Sequence, residues 1–258
     1  MSTGTFAPRP GAAALPRQVA AQVRMETRLL LRNGEQLLLA VVIPLIVLIG
    51  GVEGARHVDL SLTHSPVDTL APGILALAVM STSFTSLAIA TGFERRYGVL
   101  KRLGSAPLPR SGLLMGKVGA LLVVEVLQIV VLSVVAAAMG WSPAITAQGL
   151  LGALCCVLLG TAAFASLGLL IAGSLRAEAT LAAANLVYLL LLAGGAVVLP
   201  STTYGGFGHA LGFLPSGALG DGLRTGFLDG SFAWPQLVVL AVWTAIGTVL
   251  TARTFKWE

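Results

Sequence analysis

Six stretches of the chain are apolar enough, and long enough, to cross a membrane as helices. A bilayer core of about 30 Å requires roughly 20 apolar residues in a helix, and each stretch comes close to that length. Pro44 lies inside the first stretch and predicts a bend there. The predicted spans are Gln36–Val52, Pro72–Gly92, Gly112–Met139, Gln148–Gly173, Ala179–Leu199 and Ala233–Arg253. The pattern therefore predicts an all-α integral membrane protein with six transmembrane helices.

The residues before the first span predict an amphipathic helix from Pro16 to Arg32. At about 100° per residue, its four arginines share one face and its apolar residues lie on the other. Such a helix is expected to lie in the membrane interface, with its apolar side in lipid. We therefore predict a flexible N-terminus over residues 1–15, an interfacial helix over residues 16–34 and a single membrane domain over residues 35–258.

A basic loop, Phe93–Lys117, separates the second and third predicted spans and holds six of the chain's sixteen Lys and Arg residues. Its first part, Glu94–Leu103, is typical of a short amphipathic helix, and Gly104 stands where a helix end is favoured. Pro107 and Pro109 then prevent the helix from continuing. The loop is either a charged anchor that fixes topology or a docking element for a cytoplasmic partner.

The distribution of Lys and Arg residues predicts how the chain is oriented in the membrane. Fourteen of the sixteen fall before the first span, in the basic loop, after the fourth span or in the C-terminal tail. Arg56 and Arg224 fall on the other side. Because Lys and Arg are retained preferentially on the cytoplasmic side, both termini are expected to be cytoplasmic.

The segment Pro200–Gly230 combines many glycines with scattered large apolar residues. It is too interrupted to form one straight span. Broken helices at membrane depth are tolerated where protein or a water-filled cavity satisfies the backbone. The segment is therefore interpreted as one or two short re-entrant helices that enter from the outside, with an ordinary glycine-rich outer loop as the alternative.

Composition and motifs exclude most other classes of protein. The chain is 56% hydrophobic and 10% charged, whereas soluble domains contain about 25% charged residues. Its net charge of +5 does not indicate nucleic-acid binding, because the basic residues cluster at the ends of segments. His57, His64 and His209 lack the spacing of a metal site, and no catalytic motif occurs. Gly112–Val118 falls short of a phosphate-binding loop, so Lys117 is expected to extend to the cytoplasmic interface.

Two groups of polar residues interrupt the apolar spans. Glu125 and Gln128 lie one helical turn apart in the third span, where they mark either a translocation path or a helix–helix contact. The second span contains Met80–Ser86, a run of small hydroxyl residues with a thioether and an aromatic ring. This run either lines a pathway for a large amphipathic molecule or packs helices through small residues. The candidate pathway residues are Met80, Ser81, Phe84, Thr85, Glu125 and Gln128.

Taken together, these features resemble the ABC-2 family of ABC-exporter permeases, and within it the daunorubicin-type drug-resistance permeases. The resemblance extends from about Gln18 to the C-terminus and depends on three degenerate motifs in a fixed order. The motifs are Met25–Gly34 before a span with Pro44; Glu94–Leu100 with Leu103, Pro107 and Gly116–Lys117; and Leu214–Pro215 followed by Leu219, Leu223–Arg224 and Phe227. They are similar to the family's connecting helix, coupling-helix loop and the stretch before its last span. Some members carry two acidic residues in the loop, whereas this chain has only Glu94.

The resemblance implies a transport subunit, without catalytic residues, in a bacterial cell membrane. Two copies of a separate ATPase subunit would bind ATP and Mg²⁺, and a second permease copy or a paralogue would complete a pathway for a hydrophobic or amphipathic compound. The implied ATPase-coupling residues are Glu94, Arg95, Arg96, Tyr97, Gly98, Leu100, Arg102, Leu103 and Pro107. The implied outer gate comprises Phe213, Leu214, Pro215 and Arg224.

Three alternatives stay open at this point. The first is an ABC-2 permease for a polysaccharide or another cell-envelope precursor. The second is a secondary carrier without an ATPase partner, which would be expected to show more ionisable groups inside its spans. The third is a membrane scaffold with no transport role.

Overall fold

The computed structural model describes residues 13–57, 64–103 and 109–255, and about 85% of the chain is helical. No strand occurs among the described residues. The helices are α1 (Leu15–Arg32), α2 (Gly34–His57), α3 (Pro66–Met80), α4 (Leu87–Arg96), α5 (Val99–Leu103), α6 (Arg110–Ala138), α7 (Ala147–Ser174), α8 (Ala177–Gly194), α9 (Gly208–Leu211), α10 (Pro215–Phe227) and α11 (Trp234–Thr254). A π turn (Ser81–Ser86) joins α3 to α4, and a 3₁₀ helix (Ser201–Phe207) precedes α9.

Six helical segments of the described chain are long and apolar enough to cross a membrane, which confirms the predicted all-α membrane fold. The second segment is α3, the π turn and α4 taken together, and it begins at Pro66, earlier than the sequence predicted. The other five are α2, α6, α7, α8 and α11. The fifth segment ends at Gly194, because residues 195–199 leave the helix.

The second span lies at the centre of the bundle. Most of its residues (72%) are buried, against 22% for α2 and 17% for α8. Its π turn packs on α7, where the rings of Phe84 and Phe164 meet edge to face with their centroids 6.4 Å apart. Gly168 allows the α7 backbone to approach the carbonyl of Phe84 closely. The outer spans α2, α8 and α11 are the least buried, and apolar side chains of these helices face outward.

The N-terminal helix α1 occupies nearly the predicted range but packs on protein as well as facing outward. It lies along α6, where Gly116 and Gly119 leave room for the side chains of Gln22 and Val23. The apolar side of this helix was predicted to lie in lipid. That prediction is wrong for Val23, because the glycines of α6 form a groove that the valine fills.

The predicted amphipathic helix Glu94–Leu103 is two helices in the structure. The first, α4, ends at Arg96, and the backbone turns at Gly98, whose φ of 68° suits a residue without a side chain. A new helix, α5, then begins at Val99. Glu94 therefore lies in the last turn of the second span rather than at a helix start. Pro107 and Gly104 lie outside the described residues.

The glycine-rich segment forms a helical hairpin that enters between the spans. Along α10, Gly226 lies against Gly149 at the start of α7, and Leu219 lies against Gly160. At 1.5 Å per residue, Gly160 is about 16 Å further along α7 than Gly149. The N-terminal end of α10 is therefore deep in the bundle.

A second contact gives the same depth for the turn of the hairpin. The indole Nε1 of Trp243 donates to the carbonyl oxygen of Phe213 at 2.8 Å. Trp243 is about 13 Å along α11 from its first residue, Trp234. The re-entrant interpretation is therefore confirmed, and the plain outer loop is excluded. We call this side of the bundle the glycine-rich end, and the side that holds α1 and α5 the basic end.

Candidate functional site

A cleft of about 360 Å³ opens between α2, α8 and the second span. The π turn and the first turn of α4 form its floor, and α2 and α8 form its two walls. Its lining is mixed, with hydroxyl, amide and phenol groups beside aliphatic side chains. The lining residues are Asn33, Ala40, Ile43, Ser81, Thr85, Ser86, Ile89, Ala90, Asn185 and Tyr188.

The π turn decides which side chains of the second span reach the cleft. A π turn is rare and shifts the helix register, which turns side chains to faces that a regular helix would not give them. Ser81 faces the cleft and its hydroxyl hydrogen-bonds with that of Tyr188. Thr85 also lines the cleft, but its hydroxyl oxygen is buried and has no hydrogen-bond partner among the described residues. Ser83 points the other way and donates to the carbonyl of Val79 at 2.6 Å.

Two predicted pathway residues, Met80 and Phe84, do not line the cleft. Both lie in the protein core, with 0% and 2% of their surface exposed. For Met80 and Phe84 the structure favours helix packing, the second of the two interpretations of the run Met80–Ser86. Its large apolar members pack against α7, and Ser81 and Thr85 line the opening.

The predicted polar residues of the third span are contacts between helices. Glu125 is 1% exposed and accepts a hydrogen bond of 2.6 Å from the hydroxyl of Thr161 on α7. Gln128 is fully buried and binds the second span through Thr82 and α2 through the carbonyl of Ala40. Neither residue borders the cleft.

A charged cluster joins three helices near the basic end. The ammonium of Lys117 on α6 lies 2.7 Å from the carboxylate of Glu94 on α4 and 3.2 Å from that of Glu26 on α1. Gln22 adds a hydrogen bond of 2.9 Å to Glu26. Lys117 is only 5% exposed, so the prediction that it extends to the interface is wrong. A buried ammonium is stable only when paired, and these carboxylates supply the pairing.

Two arginines at the end of α4 bind the connection between α7 and α8. Arg95 donates to the carbonyl oxygens of Gly173, at 2.7 Å, and Leu175, which lie at the C-terminal end of α7. Arg96 pairs with Glu178 in the first turn of α8. Both guanidiniums, predicted to contact a partner, thus have partners within the chain. They tie the second span to the fourth and fifth.

The remaining predicted coupling residues differ in how far they are exposed. Tyr97 is 65% exposed at the turn between α4 and α5, where it stacks on Phe93. Arg102 is exposed, whereas Leu100 is buried. The side chain of Leu103 and all of Pro107 lie outside the described part of the chain.

The predicted gate residues occupy the turn and body of the re-entrant hairpin. Phe213 is exposed at the turn, Leu214 is partly buried, and Pro215 is buried at the first position of α10. Arg224 is buried on the same helix.

Arg224 binds backbone carbonyls from two other segments. It donates to Val197 at 2.8 Å and to Val198, in the irregular segment after α8, and to Thr69 of α3 at 3.3 Å. Asp221 pairs with it at 3.0 Å. Burial lowers the pKa of the Arg224 guanidinium, and the charge of Asp221 raises it.

Sequence reasoning missed the part of the cleft that α8 supplies. Asn185 and Tyr188 are polar residues in an otherwise apolar predicted span, and that signal alone singles them out. Glu26 was also missed, because it lies on an amphipathic helix where a carboxylate is unremarkable. No group of three or more potential metal ligands occurs within residues 13–57, 64–103 and 109–255.

Comparison with protein-family models identifies the chain. The model for the ABC-2 type transporter matches residues 13–227. The chain belongs to the ABC-2 type transporter family. It is therefore a membrane permease, the transmembrane subunit of an ABC transporter. No curated protein matches the chain.

Replacing Lys117 with methionine should destabilise the permease strongly. Glu26 and Glu94 would be left without their cation, and breaking a buried pair in this way costs about 3–5 kcal/mol. Thermal unfolding in detergent measures the effect. Lys101→Met removes an exposed ammonium from the same end and should change the midpoint little. Adding Glu26→Gln and Glu94→Gln to the Lys117→Met variant should recover most of the lost stability. If the triple variant is as unstable as Lys117→Met alone, the pairing is contradicted.

Proposed function

We propose that this permease is the transmembrane half of an ATP-driven exporter that moves a hydrophobic or amphipathic compound by alternating access. The observation that supports the proposal is the cleft over the π turn. It combines neutral hydrogen-bonding groups with aliphatic side chains at the surface of the second span. An apolar pocket with a few convergent polar groups is the usual form of a small-molecule site.

The chemistry of the cleft favours an uncharged or weakly charged amphipathic cargo. Its lining offers hydroxyl, amide and phenol groups beside Ile43 and Ile89, and no carboxylate, ammonium or guanidinium. A strongly ionic cargo needs opposite charges to replace its hydration shell. A polysaccharide or another envelope precursor is the alternative cargo. Its many hydroxyls would lose water against the two isoleucines without gaining partners.

The outward faces of α2 and α8 support a second permease subunit, either a copy or a paralogue. These helices border the cleft and carry exposed aliphatic side chains on both sides of it. The exposed residues are Ile43, Ile46 and Ile49 on α2 and Leu186, Leu189 and Leu190 on α8. A second subunit on these faces would enclose two clefts between the protomers, and lipid would surround the rest.

The basic end supports binding of two ATPase subunits that hold ATP and Mg²⁺. Tyr97 and Lys101 present an exposed ring and ammonium beside α5. Arg95, Arg96 and Glu94 bind α7, α8 and α6 from the same short stretch. A partner that tilts α5 would therefore move several spans at once. The carrier alternative lacks such support, because Glu125 is a single carboxylate bonded to Thr161.

The basic end should face the cytoplasm of the bacterial cell, and the glycine-rich end should face outward. Single cysteines at Ile145 and Lys101, in a chain whose Cys155 and Cys156 are alanine, report the two ends. A membrane-impermeant maleimide applied to intact cells should label Ile145→Cys at once. It should label Lys101→Cys only after permeabilisation. The reverse pattern would overturn the proposed orientation.

Association with an ATPase should depend on the exposed face at α5. Tyr97→Ala combined with Lys101→Glu should reduce the ATPase activity that copurifies with the tagged permease by about fivefold or more, as for loss of an aromatic anchor and a charge. Arg253→Glu is the matched control, because it reverses an exposed charge on α11 at the same end. If the unsubstituted permease, the double variant and the control variant all copurify with the same ATPase activity, this face is excluded as the docking element.

Removing polar groups from the cleft should change which compounds stimulate ATP hydrolysis. Tyr188→Phe and Ser81→Ala each delete one hydroxyl of the lining and should raise the half-maximal concentration of a stimulating amphipathic drug roughly three- to tenfold, the value of one hydrogen bond. Thr161→Val removes a buried hydroxyl on α7 outside the cleft and should leave the half-maximal concentration unchanged. Stimulation by a hydrophilic polysaccharide alone would disprove the cargo class and leave the ATP-driven mechanism standing.

A further inference from the structure

Pro44, inside α2, leaves one backbone carbonyl without its usual partner. In a helix, the carbonyl of Ala40 would accept from the N–H of residue 44, but Pro44 has no N–H. Inside a membrane such an oxygen must find another donor, because no water is available. The side-chain amide of Gln128, on α6, supplies it: Nε2 donates to the Ala40 carbonyl at 2.8 Å.

The oxygen of the same amide binds the π turn, which is a second irregular segment of the bundle. The Oε1 of Gln128 accepts a hydrogen bond of 2.9 Å from the hydroxyl of Thr82, inside the π turn. Only one orientation of the amide satisfies both contacts, because a flipped amide would place its oxygen against the Ala40 carbonyl. Gln128 is fully buried, its bond to Thr82 is shielded from solvent, and its bond to Ala40 is part-buried.

The two irregular segments that Gln128 joins are also two sides of the cleft. Ala40 and Ile43 line it from α2, and Ser81 and Thr85 line it from the π turn. Gln128 itself lies behind this lining and does not reach the opening. Proline bends and π turns are where helices most readily change direction.

We propose that Gln128 is a positioning residue that holds the Pro44 segment of α2 at a fixed distance from the π turn and so sets the width of the cleft. The α2 wall and the π-turn floor then move together rather than independently. The consequence for transport rests on the proposed function of the cleft, whereas the distance itself is a property of the permease alone.

Crosslinking across the cleft tests the distance without a substrate or an ATPase. Cysteines replace Ile43 on α2 and Asn185 on α8 in the chain that lacks Cys155 and Cys156. The membranes are treated with bifunctional methanethiosulfonate reagents of graded length, and intramolecular products are counted by mass spectrometry. With Gln128 present, products should be confined to a narrow range of spacers.

Comparison of variants distinguishes loss of the Gln128 bridge between α2 and the π turn, which we call the joint, from a general loss of packing. Gln128→Leu should spread the products over shorter and longer spacers, and Thr82→Val should do so in part. Ser83→Ala is the matched control, because it removes a fully buried hydroxyl of the same π turn whose bond stays within its own helix. An unchanged spacer range in Gln128→Leu would overturn the proposal.

A double substitution tests the link to the proline directly. Gln128→Leu alone should shift the unfolding equilibrium in detergent about fivefold or more toward the unfolded chain, because the Ala40 carbonyl loses its donor. In Pro44→Ala, the new N–H of residue 44 can bind that carbonyl. The same Gln128 change should then have less than about half of its effect on the logarithm of that equilibrium constant. Strict additivity of the two changes would overturn the proposal.

These outcomes are independent of the proposed function. If crosslinking and the double substitution succeed but cleft variants leave ATP hydrolysis unchanged, the joint stands and the export proposal fails. If the cleft variants alter the stimulation of ATP hydrolysis but Gln128→Leu leaves the range of crosslinking spacers unchanged, the export proposal stands. The proposed role of Gln128 then fails. Where both hold, Gln128→Leu should also broaden the range of drugs that stimulate hydrolysis, and Ser83→Ala should not.

Discussion

A backbone polar group inside a bilayer must be paired within the protein, and the architecture follows from how this chain meets that requirement. Unbroken helices pair their own backbones. At several breaks among the described residues a side chain from elsewhere supplies the donors, as Gln128 does at Pro44 in α2, Arg224 at the irregular segment after α8, and Arg95 at the end of α7. Each break is therefore also a point where two or three spans are fixed to one another.

Charge burial follows the same rule near the basic end. Lys117 is placed among α1, α4 and α6, where an isolated ammonium would be strongly disfavoured. Two carboxylates from different helices make the position stable and specify the packing of α1 on the bundle. The amphipathic helix is thus attached by charge pairing at its centre and by the small residues Gly116 and Gly119 beneath it.

Hydropathy alone located all six spans, because a helix that crosses a membrane needs a long apolar run whatever its neighbours are. It did not show which faces of the spans are buried, because spans that are apolar all round carry no periodic signal. Met80 and Ser81 are neighbours in sequence, yet one lies in the core and the other lines the cleft. The helix Glu94–Leu103 was predicted wrongly, because the local pattern does not show that Gly98, inside it, takes a positive φ.

The cleft arises where the requirement for backbone pairing is hardest to meet, since a π turn and a proline in α2 adjoin it. Hydroxyls and amides are needed there to pair the backbone. The polar groups that would bind a cargo on the proposed function are therefore among those that the fold already requires. The amide of Gln128 behind the cleft pairs with the backbone and one hydroxyl, and Ser81 of the same π turn lines the opening. On the proposed function, stability and cargo recognition would depend on adjacent residues of one π turn, and a substitution that widens specificity would loosen the bundle at the same point.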